Sequence, residues 1–169
     1  MKYAYGFLGL GFPEEIGGAV AGAAYDLESS NPGAGYGVEY DLGPDWRIQV
    51  YIYDFGLASI PADPQLGPTI DQLQISVREI FAKEADGTLR HVDLVDTYTF
   101  GGDEAQCRFV CSRFAIDVND KDQTECLTCL TSWRNKFIKL RITVRQSETA
   151  HADAQAFVRA WENELWPSD

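Results

Sequence analysis

Every cysteine in the chain lies in one stretch, "CRFVCSRFAIDVNDKDQTECLTC", which holds Cys107, Cys111, Cys126 and Cys129. Four thiols this close can hold a metal, run a redox couple, cross-link or simply fill a core. The spacing is C-x3-C, fourteen residues, then C-x2-C, near that of zinc ribbons. Zinc knuckles place each pair on a tight turn, usually with Gly nearby, but here both pairs lie in alternating β-branched or aromatic surroundings without Gly or Pro. On a strand, Cys107 and Cys111 stand about 13 Å apart at roughly 3.3 Å per residue. Cys126 and Cys129, three apart, point to opposite faces. No metal is therefore expected. Redox chemistry of the thioredoxin kind needs C-x-x-C at a helix N-terminus, and "CLTC" reads as strand.

Disulfides fare better. "DVNDKD" (Asp117–Asp122) reads as a hairpin turn with Asn119 at or next to it. That turn brings Cys111 toward Cys126 and Cys107 toward Cys129, within a register slip. Cross-strand neighbours at a non-hydrogen-bonded position approach closely enough to bond, given an oxidising compartment. All four are candidate disulfide cysteines. Plain buried thiols compete and hold a small advantage, because free Cys is among the most buried residue types.

Other chemistry is sparse. The two histidines, His91 and His151, open a strand and a helix and sit in no nucleophile or metal motif. "DVNDKDQTE" is acidic like a calcium loop, but its fifth position is Lys121 and its sixth lacks Gly. There is no P-loop, no dinucleotide fingerprint and no H-E-x-x-H. No catalytic residue and no cofactor is assigned; an enzyme would need carboxylates and hydroxyls distant in sequence to converge.

The 169 residues carry a net charge of −12, from 14 basic and 26 acidic side chains. Such a field repels nucleic acid, whose binding depends on Lys and Arg neutralising phosphates. No apolar run reaches the roughly 18 residues that span a bilayer. The opening "MKYAYGFLGLGFPEEIGGAVAGAA" superficially resembles a leader, but Pro13, Glu14 and Glu15 interrupt it. The expected location is cytoplasmic as the chain stands, and periplasmic or secreted if an export leader is missing from it.

The elements that would position any site follow from periodicity. "SSNPGAG" (Ser29–Gly35) is a turn. "YGVEYD" and "WRIQVYIYDF" alternate as strands. In the second, Trp46, Ile48, Val50 and Ile52 face one side, and Gln49, Tyr51, Tyr53 and Phe55 the other. "TIDQLQISVREIFAKEADG" reads as a helix with a Thr69/Gln72 capping box, Gly87 at C′, and an apolar stripe of Ile70, Leu73, Val77, Ile80 and Phe81. Strands resume with "HVDLVDTYTF", "AQCRFVCSRFAIDV", "TECLTCLTSW" and "KFIKLRITVR". In the last, Ile138, Leu140, Ile142 and Val144 point inward, while Lys139, Arg141, Thr143 and Arg145 point to water. A final helix opens near Ser147 or Thr149, buries Ala150, Ala154, Phe157, Trp161 and Leu165, and stops at Pro167. With no repeat or linker, residues 1–169 read as one α+β domain. Its expected architecture is a single antiparallel sheet of about six strands with two amphipathic helices packed on it.

"NKFIKLRITV" followed by a helix carrying Phe157 and Trp161 resembles the end of Mog1/PsbP-like domains. "FPEEIGG", "NPGAGYGVEY" and "VYIYDFG" are similar to segments of an uncharacterised bacterial protein family. The family resemblance implies no activity; the fold resemblance implies protein-binding or chaperone-like roles.

The leading functional expectation is thus a non-catalytic protein-binding module. Five of the 14 basic residues fall between Arg134 and Arg145, and Lys139, Arg141 and Arg145 share one strand face. Bordered by tyrosines, that stripe suits an acidic segment of a partner. Alternatively, cross-strand acids or the acidic final helix (Asp153, Glu162, Glu164) neutralise it. The runner-up is a carrier of a small apolar or aromatic ligand, held by a face of Tyr40, Tyr51, Tyr53 and Phe55. A hydrolase joining His91 or His151 to a carboxylate and a hydroxyl is the third reading.

Overall fold

The computed structural model describes residues 11–119 and 122–168. Residues 1–10 of the leader-like opening, and Asp120 and Lys121 of the expected turn, lie outside these. Two antiparallel meanders make the sheet. The first is β1 (Glu15–Ile16), β2 (Ala19–Asp26), β3 (Tyr36–Asp41) and β4 (Trp46–Tyr53). The second is β5 (Arg90–Phe100), β6 (Phe109–Asn119), β7 (Asp122–Trp133) and β8 (Lys136–Arg145). Pairing of β4 with β8 joins them into one eight-stranded sheet, ordered β1-β2-β3-β4-β8-β7-β6-β5. Helix α1 (Gly67–Ala85) carries the chain from β4 to the far edge, and α2 (Ala150–Leu165) follows β8.

Two strands more than the expected six come from "EEIGGAVAGAAYD". β1 has two residues, and β2 is an Ala- and Gly-rich, bulged strand at the margin of the sheet. Its composition has low β-propensity, so periodicity gave no signal there.

Each helix covers a different face. α2 buries Ala154, Phe157, Val158, Trp161 and Leu165 against Ile48, Val50, Ile52, Leu127, Ile138, Leu140 and Ile142. This is the main core. α1 lies over β5, β6 and β7 on the opposite face, where apolar packing is split. Leu73 joins Tyr53, Ile60, Leu130 and Phe137, while Ile80 joins Val92, Phe114, Ile116 and Cys126. The reading of β8 as wet on one face is therefore corrected: its polar side is partly roofed by α1, and Lys139 and Arg141 are half-buried.

The expected capping box does not form. Gly67 starts α1, Leu66 is the N-cap without a side-chain bond, and Pro68 occupies the first turn. Thr69 is pulled into the buried face, and Gln72 instead accepts a hydrogen bond from Tyr53 Oη at 3.1 Å. Gly87, at φ 83°, takes the C′ position expected of it. α2 starts at Ala150 after Thr149, whose hydroxyl bonds Asp153 at 2.9 Å.

The cysteine hairpin forms, but three residues out of the expected register. β6 pairs Asp117 with Gln123 and Asn119 with Asp122, so Cys111 faces Cys129 and Cys126 faces Phe114. Cys107 precedes β6, because Gly101–Gln106 makes a turn rather than strand. Cys111 and Cys129 form a disulfide with Cα atoms 4.2 Å apart, the close cross-strand spacing. Of the remaining two, Cys126 is a buried thiol and Cys107 a partly exposed one. The plain-thiol reading thus holds for Cys126 alone.

The bridge makes a prediction. Closing an 18-residue separation contributes about 3 kcal/mol in the chain-entropy account, or about 6–12 °C in Tm at this size. Protein refolded under strong reductant should melt lower by that amount, and non-reducing peptide maps should link Cys111 to Cys129. Equal melting temperatures with an unlinked map would overturn the assignment.

Candidate functional site

The antiparallel pairing of β4 with β8 sets side chains of equal parity next to one another. Arg47 stands beside Thr143, Gln49 beside Arg141, and Tyr51 beside Lys139. β7 adds Thr124 and Cys126, which pair with Arg145 and Thr143. The last turns of α1 bring Lys83 above them. Because α1 rides over β5–β7, the sheet beneath β4 and β8 is left open as a concave cavity of about 610 Å³. Arg47, Lys83, Arg141 and Arg145 line it, with Asp45, Asp122, Trp46 and Tyr51.

Partners divide these cations into two kinds. Arg145, at the exposed end, meets Asp122 at 3.0 Å and Asp45 at 3.8 Å. Arg47, Lys83 and Arg141 make no ion pair among the described residues. The Arg141 charge, with desolvation and Arg47 adding to it, holds the Lys83 ammonium below the usual lysine range, against opposition from Glu79 and Asp86. Like charges gathered without ion pairs in a partly desolvated cavity favour an anion beside them. At the floor, burial pushes the Cys126 thiol up, with Arg141 and Thr143 pulling the other way.

A second, much smaller cavity of about 20 Å³ continues under α1 and shares Lys83 and Arg141 with the first. Lys139 lines it, with its Nζ 5.3 Å from the Tyr51 ring centroid and 5.7 Å from that of Tyr53. Burial lowers the Lys139 pKa, Arg141 and Lys83 add to the effect, and Glu79 opposes it.

Of the sequence candidates, Tyr51, Tyr53, Lys139, Arg141 and Arg145 share this face. Tyr40 does not. It pairs with Ile48 across β3–β4, so it points to the α2 side, where it lies edge-on to Trp161 and donates to the Pro13 carbonyl at 2.9 Å. Phe55 is beyond the end of β4, at φ 51°, and is exposed. The aromatic face therefore divides: Tyr51 lines the cationic cavity, while Tyr53 is buried in the apolar cluster under α1, its ring edge-on to Phe55 with centroids 5.0 Å apart.

Nor does α2 neutralise the basic stripe, since it packs on the other face. Asp153 bonds Thr149, and Glu162 accepts from the Gly102 amide and pairs with Arg159. Other members of the basic cluster have their own partners. Arg134 stacks on Trp133 at 4.2 Å, and Lys136 pairs with Asp54.

His151 does reach a carboxylate and a hydroxyl, with Nδ1 3.1 Å from Glu125 and Nε2 3.4 Å from Tyr98 Oη. Arg113 also pairs with Glu125, which is buried, and Gln155 donates to Tyr98 at 3.2 Å. Desolvation and Arg113 lower the His151 pKa, although Glu125 raises it. This network lies on the α2 side, and neither cavity described above reaches it. His91 pairs with Asp117 at 2.7 Å on an exposed strand.

Two site residues escaped the sequence reading. Arg47 had a signal, because it alternates in step with Gln49 and Tyr51. Lys83 had none, since its place depends on where α1 crosses the sheet.

No family model and no curated protein matches the chain. Among solved structures it is similar to cyanobacterial PsbP (CyanoP) from Synechocystis sp. PCC 6803, with a TM-score of 0.53 and 14% identity, covering 83% of this chain and 78% of that one. It is also similar to the Ran-binding protein Mog1p of Saccharomyces cerevisiae, with a TM-score of 0.43 and 11% identity, covering 82% of this chain and 93% of that one. No helix among the described residues is long and apolar enough to cross a membrane. The chain has a PsbP-like α+β fold, as its closing strand and helix implied.

Proposed function

We propose that the protein is a non-catalytic binding module whose recognition surface is the cationic cleft between α1 and the β4–β8 ladder, and that it takes an acidic segment of a partner protein. The observation that carries this is a concentration of cations, three of them without ion pairs among the described residues, in a chain with a net charge of −12. Arginine and tyrosine line the same concavity and are favoured contact residues. The cavity's volume falls in the range of small-ligand sites, roughly 300–1,000 Å³. A small anionic ligand is therefore the second reading, in place of an apolar one. The absence of catalysis is part of the proposal. Its support is that the His151–Glu125–Tyr98 contact is tied up by Arg113 and Gln155.

The test is an Arg141→Glu/Arg145→Glu double variant, assayed by anisotropy against a fluorescent dodecapeptide of Glu, Asp and Ser. Both side chains reach solvent, so the fold should survive with Tm changed by a few degrees. Affinity should fall at least about tenfold, the equivalent of 1.4 kcal/mol, and parent binding should weaken with salt. Arg78→Glu, on the exposed side of α1 outside the cleft, should leave binding within about twofold, under 0.5 kcal/mol. Equal loss in the Arg78 variant would reduce the effect to net charge and sink the proposal.

A further inference from the structure

The charge of the cleft defines its ligand more narrowly than "acidic". Four cations and two carboxylates line it, leaving a net charge of +2. The two carboxylates, Asp45 and Asp122, are both engaged by Arg145. The cations of this lining that make no ion pair among the described residues are therefore Arg47 on β4, Arg141 on β8 and Lys83 on α1, three groups from three elements facing one space, with Glu79 of α1 lining the adjoining small cavity beside Lys83 and Arg141. A single carboxylate would satisfy one of them and leave the other two repelling. A phosphate monoester carries about −1.5 to −2 charge and three strong acceptor oxygens. Guanidinium groups match such oxygens with paired N–H donors, and lysine serves as a point charge beside them. The uncharged polar groups of the same lining are already engaged, Gln49 donating to Glu39 at 3.2 Å, Thr124 to the Ile116 carbonyl at 3.0 Å and Thr143 to Cys126 Sγ at 3.8 Å, so the three cations are the donors that face an anion.

We propose that Arg47, Lys83 and Arg141 form a binding site for a phosphate monoester dianion. This rests on the cleft being the recognition surface. It implies that the acidic segment bound there is phosphorylated, with a free small phosphate ester as the other source of the same group. The depressed Lys83 pKa agrees with the geometry, since the dianion would relieve the repulsion from Arg141 and Arg47.

Three labelled peptides test it: an acidic peptide with one central serine, the same with phosphoserine, and the same with Glu-Glu in place of that serine to match charge. Inorganic phosphate is titrated separately. The phosphopeptide should bind at least about tenfold more tightly than either other peptide, reflecting charge-assisted bonds that two carboxylates cannot reproduce. Lys83→Gln and Arg47→Gln should each remove most of that preference, while Arg78→Gln, outside the cleft, leaves it in place. As a readout independent of substitution, the Lys83 ammonium titration followed by NMR should move to higher pH when phosphopeptide is bound. Glu79 and Asp86, also near Lys83, act in both states.

Equal binding of all three peptides overturns the phosphate site while leaving an acidic-segment module intact. Inorganic phosphate matching the phosphopeptide in affinity, with no binding of the other peptides, supports the phosphate site and overturns the partner-segment reading. Failure of every probe, phosphate included, removes both.

Discussion

Truncating Trp161 to alanine is expected to destabilise the protein by about 3–5 kcal/mol, lowering Tm by about 6–20 °C at this chain length. Trp161 is fully buried in α2, and its ring lies edge-on to Tyr40 with centroids 6.2 Å apart. Removing it opens a large void at the centre of the main core, where neighbours from β3, β4 and β8 cannot collapse without leaving the sheet. Trp161→Phe should behave differently. The indole Nε1 finds no acceptor among the described residues, so phenylalanine removes an unsatisfied donor along with part of the volume, and these act in opposite directions. We expect the Phe variant to lose less than half of what the Ala variant loses in urea denaturation. Peptide affinity per folded molecule should be unchanged in both, because Trp161 is on the face away from the cleft. An Ala variant that melts within two or three degrees of the parent would mean that α2 does not anchor the core.

That helix was legible for a physical reason. Ala150, Ala154, Phe157, Trp161 and Leu165 form one dry stripe on one element, and every one of them is buried. β8 was legible in the same way on its inner face, where Ile138, Leu140 and Ile142 are fully enclosed. α1 was recognisable as a helix but misread in its packing. Its seat is built from Thr69, Leu73, Ser76 and Ile80, two of them polar, so the apolar stripe only partly marked the buried side. Phe81 is in fact among the more exposed large side chains.

The site was half legible because its two determinants live on different levels. Strand parity correctly gathered Tyr51, Tyr53, Lys139, Arg141 and Arg145, but it also collected Tyr40, whose parity is relative to β3 and not to β4. Nothing local fixes that relation; the Tyr40–Ile48 pairing does. The cysteine register failed similarly. A hairpin was evident, yet moving the turn centre by a residue or two changes each pairing by twice as much. Cys111 thus meets Cys129, while Cys126 ends on the opposite face beside Arg141 and Thr143.

The opening of the ladder that carries Tyr51 depends on one glycine, and Gly35→Ala should cost about 2–5 kcal/mol. Gly35 sits at φ +70°, where a side chain costs about 1–2 kcal/mol. A Cβ there would also lie 1.9 Å from the Ile52 carbonyl oxygen and 2.8 Å from the Tyr53 Cα. Those atoms are backbone and cannot rotate away, so the strand itself must shift, an overpacking cost of about 1–3 kcal/mol. The neighbourhood gives little room. The Gly35 amide donates to Glu28 at 2.8 Å and its carbonyl accepts from Leu27 at 3.0 Å. Gly33, held by the same Glu28 carboxylate, accepts from Asp54 and Phe55 just past β4. Displacing Ile52 breaks the Tyr36–Ile52 end of the β3–β4 ladder and moves Tyr51 one residue away. The Gly35 variant should therefore lose peptide affinity as well as stability. Gly56→Ala is the control: φ is +76°, but no atom lies within 4 Å of the added Cβ. It should lose only the conformational part, about 1–2 kcal/mol, and retain binding. If thermal melts place the two variants at the same temperature, the close approach at Gly35 is not what fixes the start of β3.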